Sequence, residues 1–198
     1  MRSRRTLWVV LGCVGGTLLV TVGLLGYFVY DTAASTGRNR IVLPPSFQGL
    51  PADPDGSTAK ELAAQLQSGY ARGSGRWTPT ALVSAVYRDA ATGRTLVAAG
   101  AYGHVLRPSD QVDTVFDGAA AAGDARIDGR RDVDPGPLGG RMSCATTESQ
   151  GRLVGFCAWA DGSTVMTLVD LDAAGKAVDL DRVAADAREL RRISEIPK

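Results

Sequence analysis

From Leu7 to Tyr30 the chain carries no charged residue, and Leu, Val, Gly and aromatic residues dominate the run. A helix rises about 1.5 Å per residue, so ~20 such residues cross the ~30 Å hydrocarbon core. The run is slightly longer than that and spans with some tilt. Arg2, Arg4 and Arg5 precede it and Asp31 follows it. Basic residues stay on the cytoplasmic side, which puts the N-terminus inside and the remainder outside. Trp8 at one end and Tyr27, Phe28 and Tyr30 at the other suit the two membrane interfaces. The expected organisation is a cytoplasmic N-terminus over 1–6, a transmembrane helix over 7–30, an extracytoplasmic tether over 31–57 and an extracytoplasmic domain over 58–198. Cleavage after the apolar run, near Ala33-Ala34-Ser35, is a competing reading, as is lipidation at Cys13 of Val10-Leu11-Gly12-Cys13. A signal peptide has an apolar core of only ~7–15 residues. A lipoprotein turns polar directly after its cysteine, whereas here the apolar run continues.

Beyond the apolar run the pattern changes period repeatedly. Asp31 to Ser57 holds Pro44-Pro45, Pro51 and Pro54 and no sustained apolar period, which reads as a tether. Ile41-Val42-Leu43 is the one short edge strand expected there. Ser57 or Thr58 then caps a helix, with Glu61 at capping-box spacing from Thr58. Leu62, Leu66 and Tyr70 share a face, and Gly73 stops the helix. Thr80 to Arg88 and Thr95 to Leu106 alternate as paired strands around Ala90-Ala91-Thr92-Gly93. Pro108 opens a second helix through Ala121, with Val112, Val115 and Phe116 inward. Gly123 to Gly140 is expected to be loop. Thr164 to Leu171 is a further strand after the turn at Asp161-Gly162-Ser163. Val178 to Ile193 is a closing amphipathic helix, with Leu180, Val183, Ala184, Ala187, Leu190 and Ile193 on one face. Its last-turn Arg191 and Arg192 suit the negative end of the helix dipole. The fold class is α+β: an antiparallel sheet of about five strands with about three packed helices.

The cysteines give the sharpest local expectation. If Gln150-Gly151 is a two-residue turn, Ser149 and Arg152 close the hairpin as a hydrogen-bonded pair. Alternation outward makes Cys144 and Cys157 a directly opposed, non-hydrogen-bonded pair. Such Cα atoms lie about 4.5 Å apart, within the reach of a disulfide. The bridge closes a loop of roughly a dozen residues, which corresponds to about 3 kcal/mol of chain entropy before the hairpin's own restraint is subtracted. An oxidising location outside the membrane agrees with it.

Leu43 to Leu50, Pro135 to Gly140, Cys144, and Cys157-Ala158-Trp159-Ala160-Asp161-Gly162-Ser163-Thr164 resemble a group of small Streptomyces-type actinobacterial proteins. Those proteins are membrane-anchored or secreted and carry a C-x-W-A-D-x-S-T hairpin. The resemblance implies the disulfide and the location, and no particular activity. Trp159 and Asp161 are its most recognisable residues. Trp159 lies on the same side of its strand as Cys157 and can pack on the bridge, while Asp161 starts a turn.

Composition narrows the chemistry. Of the 22 Lys and Arg, three precede the apolar run, so 19 face 21 Asp and Glu beyond it. That near-neutral outer part argues against a nucleic-acid partner. His104 is the single histidine, which leaves a zinc site or a His-based nucleophilic mechanism with little to stand on. Asp53 and Asp55, and Asp128, Asp132 and Asp134, lack the spacing of a calcium loop. Asp110, Asp113 and Asp117 mark the outer face of the second helix. No catalytic residue, metal ligand or cofactor is expected. Gly12 and Gly16 form G-x-x-x-G in the membrane helix, with Gly23 near the same face, a spacing that allows homodimerisation through that helix. The leading expectation is a non-catalytic domain on a single-pass anchor that binds or senses a cell-envelope protein or ligand. The alternatives are an envelope hydrolase or transferase with dispersed carboxylates, and a structural subunit acting through helix association.

Overall fold

The computed structural model describes residues 36–71, 77–91, 93–121, 126–149, 152–171 and 177–198. The apolar run with Gly12, Cys13, Gly16 and Gly23, the stop at Gly73 and the Gln150-Gly151 turn all lie outside the described residues. Among the described residues no helix is long and apolar enough to cross a membrane.

The described chain opens with three short strands, β1 (Asn39–Ile41), β2 (Ser46–Phe47) and β3 (Leu50–Pro51). Helix α1 (Ser57–Ala71) follows, then β4 (Pro79–Arg88), β5 (Thr95–Gly103) and helix α2 (Pro108–Ala121). Strands β6 (Ile127–Val133), β7 (Arg141–Ser149), β8 (Arg152–Ala160) and β9 (Thr164–Asp170) lead to helix α3 (Leu180–Ser194) and strand β10 (Glu195–Pro197). β4 to β9 form one six-stranded antiparallel sheet in the order β4-β5-β9-β8-β7-β6. The α+β class holds, with three helices among the described residues.

Alternation along β8 shows how the layers arise. Cys157 and Trp159 face one side and join Val183, Ala184, Ala187 and Leu190 of α3 in one buried cluster. Phe156, Ala158 and Ala160 face the other side and meet Val112 and Phe116 of α2. The sheet is therefore buried on both faces near its centre, and Phe116 and Phe156 stack with centroids 4.7 Å apart. α1 packs against β4 and β5.

Two expectations are revised. The segment 31–57 was read as a tether, yet from Thr36 on it belongs to the same compact unit as the rest, Thr36–Lys198. Ile41, Phe47 and Leu50 are buried in the α3-side cluster, so the prolines shape a packed strap instead of a spacer. β1 pairs with β10 at the opposite end of the chain, and it ends at Ile41 instead of running through Leu43. β2 and β3 meet around Gln48 and Gly49, whose φ values of 52° and 76° suit a tight hairpin turn.

The second revision is β6, which occupies part of the expected loop 123–140. Only Ile127 and Val133 are half buried, and the five residues between them are exposed. Such a strand has no apolar period to read. It is held by pairing to β7, with a bulge between Asp128 and Arg131 where Gly129 takes φ 63°. Charge on an edge strand also discourages pairing with other chains.

Arg191 lies in the last turn of α3, as read from the chain, and there it is buried, 1% exposed. Arg192 does lie outward, paired with Glu189. α3 starts at Leu180 because Asp179 caps it, its carboxylate accepting from the backbone N–H of Asp181 and Arg182.

Candidate functional site

The register of β7 and β8 pairs Ser149 with Arg152 and Cys144 with Cys157. The two cysteines form the expected disulfide, with Cα atoms 4.0 Å apart. Trp159 is fully buried in the same cluster. Its indole N–H donates to Glu195 Oε1 at 2.7 Å. Asp161 does start a turn: its Oδ1 accepts from the backbone N–H of Ser163 and Thr164 at 2.6 and 2.9 Å.

Asp161 has a second role that its local sequence does not show. Its Oδ2 receives Arg191 Nη2 at 2.7 Å. Arg191 Nε donates to Glu195 Oε1 at 3.1 Å, and Nη1 donates to the carbonyls of Pro135 and Gly139. The segments Pro135–Gly140 and Cys157–Thr164 thus meet on one buried guanidinium. Thr164 Oγ1 also donates to Glu195 Oε1, at 2.8 Å, while Oε2 is buried with no partner among the described residues. Burial is the largest influence on Glu195, and it prevails over Arg191 and the donors on Oε1 to push the carboxyl up to about 7. One guanidinium between two carboxyls is charge-balanced when one of them keeps its proton. This cluster clasps α3 and β10 to the sheet, and its side chains are buried.

Several other acidic groups are also engaged. Asp113 pairs with Arg130 and Arg141, and the Arg130 hydrogen bond holds its carboxyl below the ordinary range. Asp132 bonds Ser143 and Arg141, Asp128 pairs with Arg126, and Asp134 accepts from the Gly136 N–H. Among the described residues no group of three His, Cys, Asp or Glu could hold a metal ion. His104 lies just past β5 and is exposed. Its Nδ1 is 3.1 Å from Thr36 Oγ1, and its ring covers Gly37, where a Cβ would fall 2.7 Å from it.

The site with room for a ligand lies on the opposite face of the sheet. Between α1 and α2, above β5 and β9, runs a groove of about 560 Å³. Leu62 and Leu66 of α1 face Val115, Gly118 and Ala119 of α2 across it, and Ala99, Val165 and Thr167 line it from the sheet. Its hydroxyls are already used: Thr167 donates to the Ala99 carbonyl at 3.0 Å and Thr114 to the Asp110 carbonyl at 2.8 Å. Trp77 and Gln111 line one end and are shared with a smaller depression of about 340 Å³, lined also by Leu106, Arg107 and Asp110. Gln111, 6% exposed, sits where the two depressions meet. Its size and apolar walls are features of a small-molecule site.

The chain matches no family model and no curated protein. The groove therefore stands on its own geometry. Its residues come from four elements far apart in sequence, so no local motif announces it. The one sequence signal was the apolar face of each helix. Leu62 and Leu66 were read as sharing one helix face and Val115 as facing the core; Val115 does pack against the buried cluster, and all three also line the groove.

Proposed function

We propose that this chain is a single-pass membrane protein whose extracytoplasmic domain binds an apolar or amphiphilic component of the cell envelope without chemically altering it. The groove between α1 and α2 carries the proposal, because a soluble domain seldom leaves so much apolar wall open unless something fills it. The apolar run Leu7–Tyr30 behind its three arginines supports the anchor. The Cys144–Cys157 bridge suits an oxidising compartment outside the membrane. The likeness to anchored actinobacterial proteins supports the same location.

Gly118 offers a clean test. It is exposed on the rim of the groove, and a Cβ there meets no atom within 4 Å. Gly118→Phe projects a ring into the groove without disturbing either buried cluster. Native mass spectrometry of the full chain, released from membranes in nanodiscs, should show a bound small molecule in the wild type and none in Gly118→Phe. Equal occupancy in both would remove the groove from the account.

A further inference from the structure

The first strand of the compact unit has a basic outer side. In β1 Ile41 turns inward, opposite the buried Glu195 of β10. Arg40 therefore projects outward, since successive side chains alternate. The Lys198 N–H donates to the Arg38 carbonyl, which extends the β1–β10 register one pair and puts Arg38 on the same side as Arg40. Both arginines are exposed. Val42, 50% exposed, continues that side, and Ile196, opposite Arg40, adds a half-buried apolar neighbour. The acids of the adjoining elements are engaged elsewhere. Glu195 and Asp161 are buried against Arg191, and Glu189 pairs with Arg192. Lys198 Nζ lies over the Tyr102 ring at 5.6 Å and is not counted in the patch.

We infer that the outer side of β1 docks on an anionic phospholipid surface, with Arg38 and Arg40 on headgroup phosphates and Val42 and Ile196 beside them. This rests on the anchor reading proposed above and adds an orientation to it. Chain length supplies the second argument. The compact unit starts at Thr36 and the apolar run ends at Tyr30, so residues 31–35 are the whole leash. That stretch reaches at most about 18 Å even when fully extended. A Debye length is ~8 Å at physiological salt, so Arg38 and Arg40 stay within reach of the field of a charged surface. Asp31 is the one acid in the leash, against two arginines. Guanidinium forks match phosphate oxygens. β1 contributes to the buried cluster on the α3 side of the sheet, so docking there leaves the groove on the other side uncovered.

The experiment uses the methyl-labelled full chain in phosphatidylcholine nanodiscs, with or without phosphatidylglycerol, carrying a spin label on a lipid headgroup. Paramagnetic broadening of the Val42 and Ile196 methyls is compared with that of exposed Leu171, just past the far end of β9. Phosphatidylglycerol should increase the broadening at Val42 and Ile196 and leave Leu171 unchanged. Arg40→Gln should lower the docked-to-undocked ratio about fivefold, the worth of one arginine at an anionic surface. Adding Arg38→Gln should lower it further. Arg88→Gln, exposed at the other end of the sheet, should change nothing. Equal broadening of Val42 with and without phosphatidylglycerol would overturn the inference. No broadening in either lipid would also overturn it, and would leave the basic side to an acidic envelope protein. A chain recovered outside the nanodiscs would overturn the anchor and the inference together.

Discussion

Replacing Glu195 with Gln neutralises the clasp beneath Trp159 while keeping an oxygen that accepts hydrogen bonds. In the wild type that oxygen receives Trp159, Thr164 and Arg191. Burial raises the folded carboxyl from 4.5 to about 7. Below about pH 4.5 the group is protonated in both folded and unfolded chains, and the wild type keeps its full stability. As pH climbs toward 7, the unfolded chain releases this proton while the folded chain retains it, so stability falls. Above 7 the loss levels off. The gap between 4.5 and about 7 corresponds to at most about 3 kcal/mol. Gln carries no proton to release, so this contribution vanishes. Asp186, also held above its ordinary range by burial, leaves a smaller slope common to both proteins. Urea unfolding at about pH 5 and about pH 8 measures the difference. The wild type should lose more stability than Glu195→Gln over that interval, and the variant should be the more stable of the two at the higher pH. Parallel losses in the two proteins would refute the reasoning.

Reducing the Cys144–Cys157 bridge should lower the urea midpoint, with a cost of about 1–3 kcal/mol for a sequence separation of 13, since the hairpin already restrains that loop; an unchanged midpoint would mean the bridge adds nothing to the hairpin. Arg191→Ala strands two buried carboxyls and two carbonyls, and should destabilise by about 3–5 kcal/mol in the same assay. A loss within error would show that the cluster is not what holds α3. Gly118→Ala, in an exposed helical position with open space around it, should raise stability by about 0.5–1 kcal/mol and shift the thermal midpoint upward.

The parts legible in the sequence were those fixed locally. Pro108 and the spacing of Val112, Val115 and Phe116 set α2 at Pro108–Ala121, the bounds read from the chain. A two-residue turn fixes every pair in its hairpin, so Cys144 opposite Cys157 followed from counting outward. The parts not legible depend on partners distant in the chain. Arg191 looks like an ordinary last-turn cation until Asp161 and Gly139, 30 and 52 residues away, close around it. β6 has no apolar alternation, because it is an edge held by backbone pairing and ion pairs. Ile41, Phe47 and Leu50 sit among prolines that suggest a tether, and only the far β10 strand and the sheet give them a core to enter. Trp77 and Gln111 could not be matched as the two sides of one opening before α1 and α2 were set beside each other.

The central claim is that the groove between α1 and α2 is where this protein meets its ligand. Intermolecular Overhauser effects, recorded on methyl-labelled protein with a palmitate-length carboxylate, test it directly. The account expects contacts from the chain methylenes to the methyls of Ala99, Val115, Ala119 and Val165, and none to Val183 or Leu190 on the other face of the sheet. Contacts that spare the groove methyls, or reach both faces alike, would contradict it.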